Sequence, residues 1–280
     1  MKQLSLTLFL IALTALFSGA TPQNMENNET KASDVLVEMN TTEGTVTLRL
    51  FGDTPRHLEN FVKLVNEGYY DGMLFHRVIQ NFMVQTGDPD SKEAKPGQLL
   101  GMGSPDYQID AEIDFPRHFH RRGALAAARQ GDETNPKRKS SGSQFYIVTG
   151  RRYTPAELDR MEMGLIRQQK QDIINRLIDE NRDSIMSLRR NRDQVGLQAL
   201  QEELNNKARQ IASQTQLGFT PAQIEAYTTE GGTPHLDGAY TVFGQVESGY
   251  DVIDRIQKAE TDANNRPTTD IKVLSMKVLK

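Results

Sequence analysis

Residues 75–88 have the sequence FHRVIQNFMVQTGD, in which a single cation, Arg77, stands among apolar and amide side chains. The apolar runs predict two short strands here, at 73–78 and 82–85. An arginine on a strand, taken alone, is more often paired with a surface carboxylate than used in chemistry. The rest of the chain therefore decides how Arg77 is interpreted.

The sequence before this stretch predicts a hairpin and a helix. Residues 35–39 and 45–50 alternate apolar and polar side chains on either side of a turn at 41–44. Such alternation is typical of half-buried strands. Pro55 then opens a segment, 55–67, with apolar residues on one face, and proline fits the first position of a helix because its missing donor is not needed there.

The sequence after this stretch predicts further strands separated by a long loop region. Residues 86–122 are rich in glycine and proline, which favour turns. A helix is predicted at 251–258. Short apolar runs predict strands at 144–149, 240–245 and 271–279, and residues 123–128 form a run of small apolar side chains.

Residues 151–230 have a different composition, and we interpret them as a helical insertion in a connection between two strands. Thr154 and Thr220 each begin a capping box. We predict two or more long amphipathic helices with a break near 191–196. Their apolar faces either pack within the protein, which is the commoner case, or offer a surface to partner proteins.

The first residues have the features of an export signal. Lys2 precedes a mostly apolar run at 4–17 and the small residues Ser18-Gly19-Ala20, which predicts a cleavable signal peptide at 1–20. An uncleaved anchor is the alternative, but the run is short against the roughly 20 residues that span a bilayer. Residues 21–33 are polar and predict a disordered linker before a domain at 34–280. We therefore expect an exported protein, most simply periplasmic or else secreted, without stable membrane insertion after cleavage.

Composition excludes several classes of function. Hydrophobic residues make up 37% of the chain and charged residues 25%, with a formal net charge of −4, so no basic surface of the kind that binds nucleic acid is indicated. The chain contains no cysteine, which excludes disulfides and thiol catalysis. His118 and His120 lie near Asp114 but lack a third ligand at a recognisable spacing, so we predict no metal site.

Three motifs together resemble the cyclophilin family of peptidyl-prolyl cis-trans isomerases. The first is residues 75–88, the second is SGSQFYI at 141–147, and the third is HLDG at 235–238 followed by VFGQV at 242–246. They occur in the order found in the family. The resemblance implies a mainly β fold, with a closed eight-stranded antiparallel barrel capped by two helices, and isomerase activity without a cofactor.

The resemblance also implies a set of site residues. Arg77 is the catalytic donor, directed at the proline nitrogen, which gains a lone pair when the amide twists. Phe82, Met83, Tyr146 and Leu236 form the proline pocket. Gln85 and Gln144 orient the substrate backbone and Arg77. The remaining substrate-binding positions are Ala128, Arg129, His235 and Tyr240.

Three of these positions depart from the best-known members. His235 stands where many have tryptophan, Tyr240 where those members have histidine, and Arg129 where asparagine is usual. The charge of Arg129 predicts a preference for acidic residues beside the proline. The resemblance implies as partners proline-containing polypeptides, chiefly unfolded or partly folded exported proteins. A peptide-binding chaperone or scaffold that uses the inserted helices, with weak or no isomerase activity, is the alternative function.

Overall fold

The computed structural model describes residues 33–215 and 217–279. The predicted signal peptide and the linker up to residue 32 lie outside the described residues. The strands are β1 (Val35–Thr41), β2 (Gly44–Leu50), β3 (Arg77–Ile79), β4 (Met83–Thr86), β5 (Gln108–Ile109), β6 (Ala124–Ala127), β7 (Ser140–Ser141), β8 (Phe145–Val148), β9 (Val242–Ser248) and β10 (Val273–Val278). The helices are α1 (Pro55–Asn66), α2 (Pro155–Glu180), α3 (Arg182–Arg190), α4 (Gln194–Gln214), α5 (Pro221–Thr229) and α6 (Tyr250–Ile256).

Eight strands form one antiparallel sheet in the order β10-β1-β2-β9-β6-β8-β4-β3, which curls strongly around an apolar core. The predicted hairpin is confirmed as β1 and β2, whose inward-facing residues are fully buried. Helices α1 and α6 pack against the same core through Phe61 and Ile256 among others. The mainly β architecture with two covering helices is therefore as expected, because alternating strands can bury only one face each.

The prediction of a closed barrel is wrong, since the end strands β3 and β10 do not pair. Only the chain just before β3 touches the other end of the sheet, where the Phe75 N–H donates to the Ile271 carbonyl at 2.9 Å and Leu74 forms an isolated bridge with Lys272. β3 has only three residues, and residues 261–267 turn back on themselves and meet it at one point, where the Val78 N–H donates to the Asn265 carbonyl at 2.8 Å. Pro267 in that turn has no N–H to donate to a ladder.

Helices α2 to α5 all lie between β8 and β9. The predicted break near 191–196 is confirmed between α3 and α4, and a second break occurs at Asn181. Both predicted capping boxes are present, at Thr154 and Thr220. The chain leaves at Arg151 and returns at Gly232, and these two residues form an antiparallel bridge.

Two apolar clusters hold these helices. Near the sheet, Leu158, Phe219 and Tyr227 pack with Phe115 and Phe119 of the long loop. Farther along, α2 packs against α4 through a cluster that includes Ile173, Leu177, Leu204 and Ala208. None of the helices within the described residues combines the length and apolar composition needed to cross a bilayer.

Candidate active site

A cleft of about 340 Å³ opens on the face formed by β3, β4 and β8. Strand register explains why these residues meet, because Arg77 of β3 is opposite Gln85 of β4, and Gln85 is opposite Tyr146 of β8. Residues opposite one another in a sheet point to the same face. Nine of the eleven predicted site residues line the cleft: Arg77, Phe82, Met83, Gln85, Ala128, Arg129, Tyr146, Leu236 and Tyr240.

Arg77 faces the cleft without an acidic partner. Its Nη1 lies 3.4 Å from Oε1 of Gln85 and 3.9 Å from Sδ of Met83. Its guanidinium carbon lies 5.8 Å from the centre of the Phe82 ring. Within the described part of the chain, Arg77 forms no ion pair with a carboxylate, so several of its five N–H donors remain available.

A directed chain of amides fixes the group that faces Arg77. Nε2 of Gln144 donates to the carbonyls of Gly101 and Gly103, at 3.0 and 2.6 Å. Oε1 of Gln144 therefore faces Gln85 and accepts from its Nε2 at 3.0 Å. This leaves Oε1 of Gln85 directed at Arg77, so the predicted orienting glutamines form a chain that ends at the guanidinium.

The floor and walls of the cleft are apolar and aromatic. Met83 and Tyr146 are buried in a cluster against which Phe82, Leu236 and Tyr240 pack. The Tyr146 and Tyr240 rings meet edge to face with centres 5.9 Å apart. Such a surface suits a proline ring, which carries no polar group of its own.

The family model for cyclophilin type peptidyl-prolyl cis-trans isomerase/CLD matches residues 36–278, which include the sheet, the cleft and the helices α2 to α5. The chain belongs to this family.

Curated relatives and solved structures agree with the assignment. A Staphylococcus haemolyticus protein named as a peptidyl-prolyl cis-trans isomerase is 28% identical over 253 residues, covering 90% of this chain and 95% of the relative. A longer Streptococcus pyogenes protein, named as a bifunctional phosphatase and isomerase, is 32% identical over 250 residues, covering 86% of this chain but 38% of the relative. A crystal structure of a Cryptosporidium parvum cyclophilin has the same fold, with a TM-score of 0.51 at 19% identity over 88% of this chain and 98% of that one.

Two predicted site residues of this cyclophilin do not line the cleft itself. His235 is exposed and stacks on Phe82 with ring centres 5.5 Å apart. Gln144 is buried and acts on the cleft through Gln85. Both support residues that face the cleft directly.

The prediction that Arg129 adds a free charge to the groove is wrong. Its Nη1 lies 2.6 Å from Oδ1 of Asp132, its Nε donates to the Ala239 carbonyl at 2.8 Å, and its guanidinium carbon lies 4.5 Å from the Tyr240 ring centre. The side chain is 6% exposed. A buried guanidinium needs these partners, because an unpaired charge out of water is very costly.

The backbone available to an extended peptide is at Arg129 and not at Ala128. The Ala128 N–H donates to the Gln144 carbonyl at 2.9 Å, and its carbonyl accepts from Ser141 at 2.8 Å. Within residues 33–215 and 217–279, the Arg129 N–H and C=O have no backbone partner.

Sequence reasoning missed eight residues that also line the cleft: His76, Gln98, Leu99, Leu100, Gly101, Met102, Asn264 and Arg266. His76 is buried, and within the described residues neither ring nitrogen has a hydrogen-bond partner. Burial lowers its pKa to about 4. Leu99 and Met102 are 71% and 82% exposed, and apolar side chains in a glycine-rich loop were the signal that could have identified them.

A separate group of possible cation ligands lies at Asp53, Asp114 and His118. Arg117 donates to the Asp53 carboxylate and is paired with that of Asp114, at 3.0 and 3.1 Å, so a guanidinium already contacts both carboxylates. His118 pairs with Asp53 at 2.8 Å. His120, considered with this group from the sequence, belongs to a different network and contacts Tyr146.

Proposed function

We propose that this cyclophilin accelerates rotation about Xaa-Pro bonds in exported polypeptides, with Arg77 as its catalytic residue. The observation that carries the proposal is a guanidinium without an acidic partner at the edge of an apolar cleft. Rotation about an amide has a barrier of about 18–20 kcal/mol because the C–N bond has partial double-bond character. A catalyst must favour the twisted amide over both planar forms.

Arg77 can supply that preference. Twisting removes conjugation, so the proline nitrogen gains a lone pair that a fixed donor binds more strongly than it binds the planar amide. Gln85 accepts from Arg77 and limits its rotation. Arginine stays charged at any working pH, so this donor does not depend on a titration.

The cleft also accounts for substrate class. Phe82, Met83, Tyr146 and Leu236 would hold the proline ring, and the Arg129 backbone would pair with the flanking peptide. A Cryptosporidium parvum relative with a TM-score of 0.50 was crystallised in the presence of the dipeptide Ala-Pro, which supports a proline-containing ligand for this fold.

Catalysis is tested by following cis-to-trans conversion of a short Xaa-Pro peptide at low temperature. The mature protein is expected to accelerate it, and Arg77→Ala to lose most of that acceleration. Arg49→Ala is the matched control, because Arg49 is also on a strand but pairs with Glu247 at 2.7 Å. Equal rates for the parent and Arg77→Ala, with unchanged circular dichroism, would exclude Arg77 as the donor.

The exported location rests on the sequence of residues 1–20. Slow proline isomerisation, over tens to hundreds of seconds, limits the folding of many exported chains, which gives the enzyme a task outside the cytoplasm. Mass spectrometry of the protein from its native host is expected to find Thr21 as the first residue. An N-terminus at Met1 would contradict cleavage.

A chaperone surface on the helices is the second candidate. The clusters on α2, α4 and α5 show that most of their apolar faces are packed internally, as in an ordinary structural insertion. A groove of about 1040 Å³ nevertheless remains among α2, α3 and α4, and Ile178 and Met186 on its walls are 44% and 53% exposed. This groove is the feature that favours client binding.

Replacing both exposed groove residues in the full chain tests this role. Ile178→Asn with Met186→Asn is expected to weaken suppression of client aggregation and to leave peptide isomerisation unchanged. Leu274→Asn, at a 54% exposed position on β10, is the control for loss of surface apolarity. Unchanged suppression in the double variant would leave the helices with a structural role only.

A further inference from the structure

A continuous chain of hydrogen bonds links α5 to the floor of the cleft. The Tyr227 hydroxyl donates to Oδ2 of Asp237 at 2.6 Å, and Nε2 of Gln223 donates to the same oxygen at 3.2 Å. Oδ1 of Asp237 lies 3.1 Å from Nδ1 of His120. Nε2 of His120 lies 2.9 Å from the Tyr146 hydroxyl.

Every member of this chain is buried. Tyr146 is 4% exposed, and His120, Asp237, Gln223 and Tyr227 are each 1% exposed or less. Asp237 also accepts from the His120 backbone N–H at 2.9 Å, so four donors surround one carboxylate. A buried carboxylate is tolerated only when it is satisfied in this way.

The contacts of His120 join the carboxylate to the cleft floor. Burial raises the pKa of Tyr227 and of Tyr146 well above the usual value, so both hydroxyls keep their protons. Asp237 holds Nδ1 of His120, so Nε2 is the ring nitrogen that faces the Tyr146 hydroxyl. The Tyr146 hydroxyl is therefore held by His120, away from the cleft.

Close packing leaves little freedom for Tyr227 to move. A Cβ added to Gly232 would lie 2.5 Å from Cε1 of the Tyr227 ring and 2.4 Å from the His120 carbonyl oxygen. Only glycine permits this approach, and its φ of +157° is one that other residues rarely adopt. The α5 helix thus packs closely against the loop segment that carries His120.

The chain also reaches the cleft wall. Asp237 directly follows the short 3-10 turn Pro234–Leu236, whose Leu236 lines the cleft and whose His235 stacks on Phe82. A shift of Asp237 would therefore disturb both the floor at Tyr146 and the wall at Leu236.

We infer that Tyr227 and Gln223 of α5 are positioning residues of the isomerase site, acting through Asp237 and His120 on Tyr146. The helices between β8 and β9 are then part of the machinery that shapes the proline pocket. This inference rests on the proposed function only in taking the cleft as the proline-binding pocket. The positioning of Tyr146 by α5 is a property of the folded protein and does not depend on it. It assigns residues outside all three sequence motifs to the site.

Tyr227→Phe removes one hydroxyl and keeps the ring. It is expected to raise KM for an Xaa-Pro peptide by about fivefold while changing kcat by less than about twofold, since a hydrogen bond to a charged group is lost and Arg77 is untouched. Tyr153→Phe is the matched control, because Tyr153 packs in the same apolar cluster and lies outside the chain of bonds. An effect on thermal stability without an effect on KM would overturn the inference.

A double-mutant cycle separates positioning from general loosening. In a Tyr146→Phe background the floor has no hydroxyl to position, so adding Tyr227→Phe is expected to raise KM clearly less than it does in the parent, with only the effect through Leu236 remaining. Additive effects on KM would overturn the inference. Gln223→Met, which removes another donor to Asp237, is the second variant and is expected to follow the same pattern.

A spectroscopic readout keeps this test independent of catalysis. With ring-labelled tyrosine, the Tyr146 signals are identified by their loss in Tyr146→Phe. They are expected to shift in Tyr227→Phe and to stay in place in Tyr153→Phe. Unmoved Tyr146 signals would overturn the inference, whereas a protein without isomerase activity but with shifted signals would overturn only the proposed function.

Discussion

The guanidinium of Arg129 and the carboxylate of Asp132, three residues apart, lie 2.6 Å from one another at the rim of the cleft. Asp132 is 55% exposed while Arg129 is almost entirely buried, so the pair presents little net charge to a bound peptide. The wild-type enzyme is therefore expected to be indifferent to charge beside the proline. This is the opposite of what the arginine alone suggested.

Asp132→Asn should create the charge preference that the wild type lacks. Removing the carboxylate leaves Arg129 without its acidic partner, while Arg138, 3.3 Å from Asp132, keeps Asp172 at 3.5 Å. The ratio of kcat/KM for glutamate-flanked and lysine-flanked peptides is expected to rise severalfold at low ionic strength and to fall again with salt. Glu247→Gln, which frees Arg49 on β2, is the control, and an unchanged ratio in Asp132→Asn would contradict the explanation.

Gln85→Leu should lower kcat more than it changes KM. Gln85 is the group that accepts from Arg77, and leucine leaves the guanidinium without that constraint. We expect a loss of roughly tenfold in kcat, the equivalent of one charge-assisted hydrogen bond. Single-turnover isomerisation kinetics measure it. A rise in KM at constant kcat would instead make Gln85 a simple binding residue.

Leu99 and Met102 should favour apolar residues beside the proline. Both are largely exposed and line the cleft, so a flanking leucine or phenylalanine would bury them. Leu99→Ser with Met102→Ser is expected to lower kcat/KM about tenfold for such peptides and little for glycine-flanked ones. The apolar area that the flanking residue buries contributes about 25 cal/mol per Å² to binding, and the two serines remove most of that area. Equal losses for both peptides would point to a general disturbance of the loop.

His76 should make the fold less stable as the pH falls. Its pKa is about 4 in the folded protein because of burial, with Asp88 and Arg77 nearby, and about 6.5 in an unfolded chain. Below pH 6.5 the unfolded chain therefore binds a proton that the folded protein does not, so the free energy of unfolding falls until about pH 4 and then levels off. The loss is roughly 3 kcal/mol, at about 1.36 kcal/mol for each pKa unit.

Denaturant unfolding between pH 7 and pH 4 measures this effect. His76→Gln is expected to show a shallower decline than the parent, because the amide does not titrate. Parallel declines in the two proteins would mean that His76 is protonated at its ordinary pKa in the folded state.

The hairpin and the helix starts of this protein could be predicted because they depend on residues close together in the sequence. The hairpin of β1 and β2 follows from alternation, the start of α1 from Pro55, and both capping boxes from residues three apart. Three motifs were enough to indicate the family, and the resemblance to the family then indicated nine residues of the cleft surface. Strand ends were less accurate, since the last strand was predicted at 271–279 and occurs at Val273–Val278.

Features that depend on distant partners could not be read from the chain. The open end of the sheet results from a turn at 261–267 that no strand periodicity describes. The charge of Arg129 was misjudged because its neutralisation depends on a loop conformation and on Tyr240, 111 residues away in sequence.

The hydrogen-bond network behind the cleft shows most clearly which features the sequence predicts and which only the tertiary structure determines. The resemblance of three motifs indicated a cyclophilin with Arg77 beside an apolar pocket, because each motif is a contiguous stretch that can be identified without the fold. The link from Tyr227 through Asp237 and His120 to Tyr146 joins partners up to 117 residues apart. Only folding brings them within hydrogen-bond distance. Burial of each polar group costs free energy, and this cost is offset only when its hydrogen-bond partners are in place.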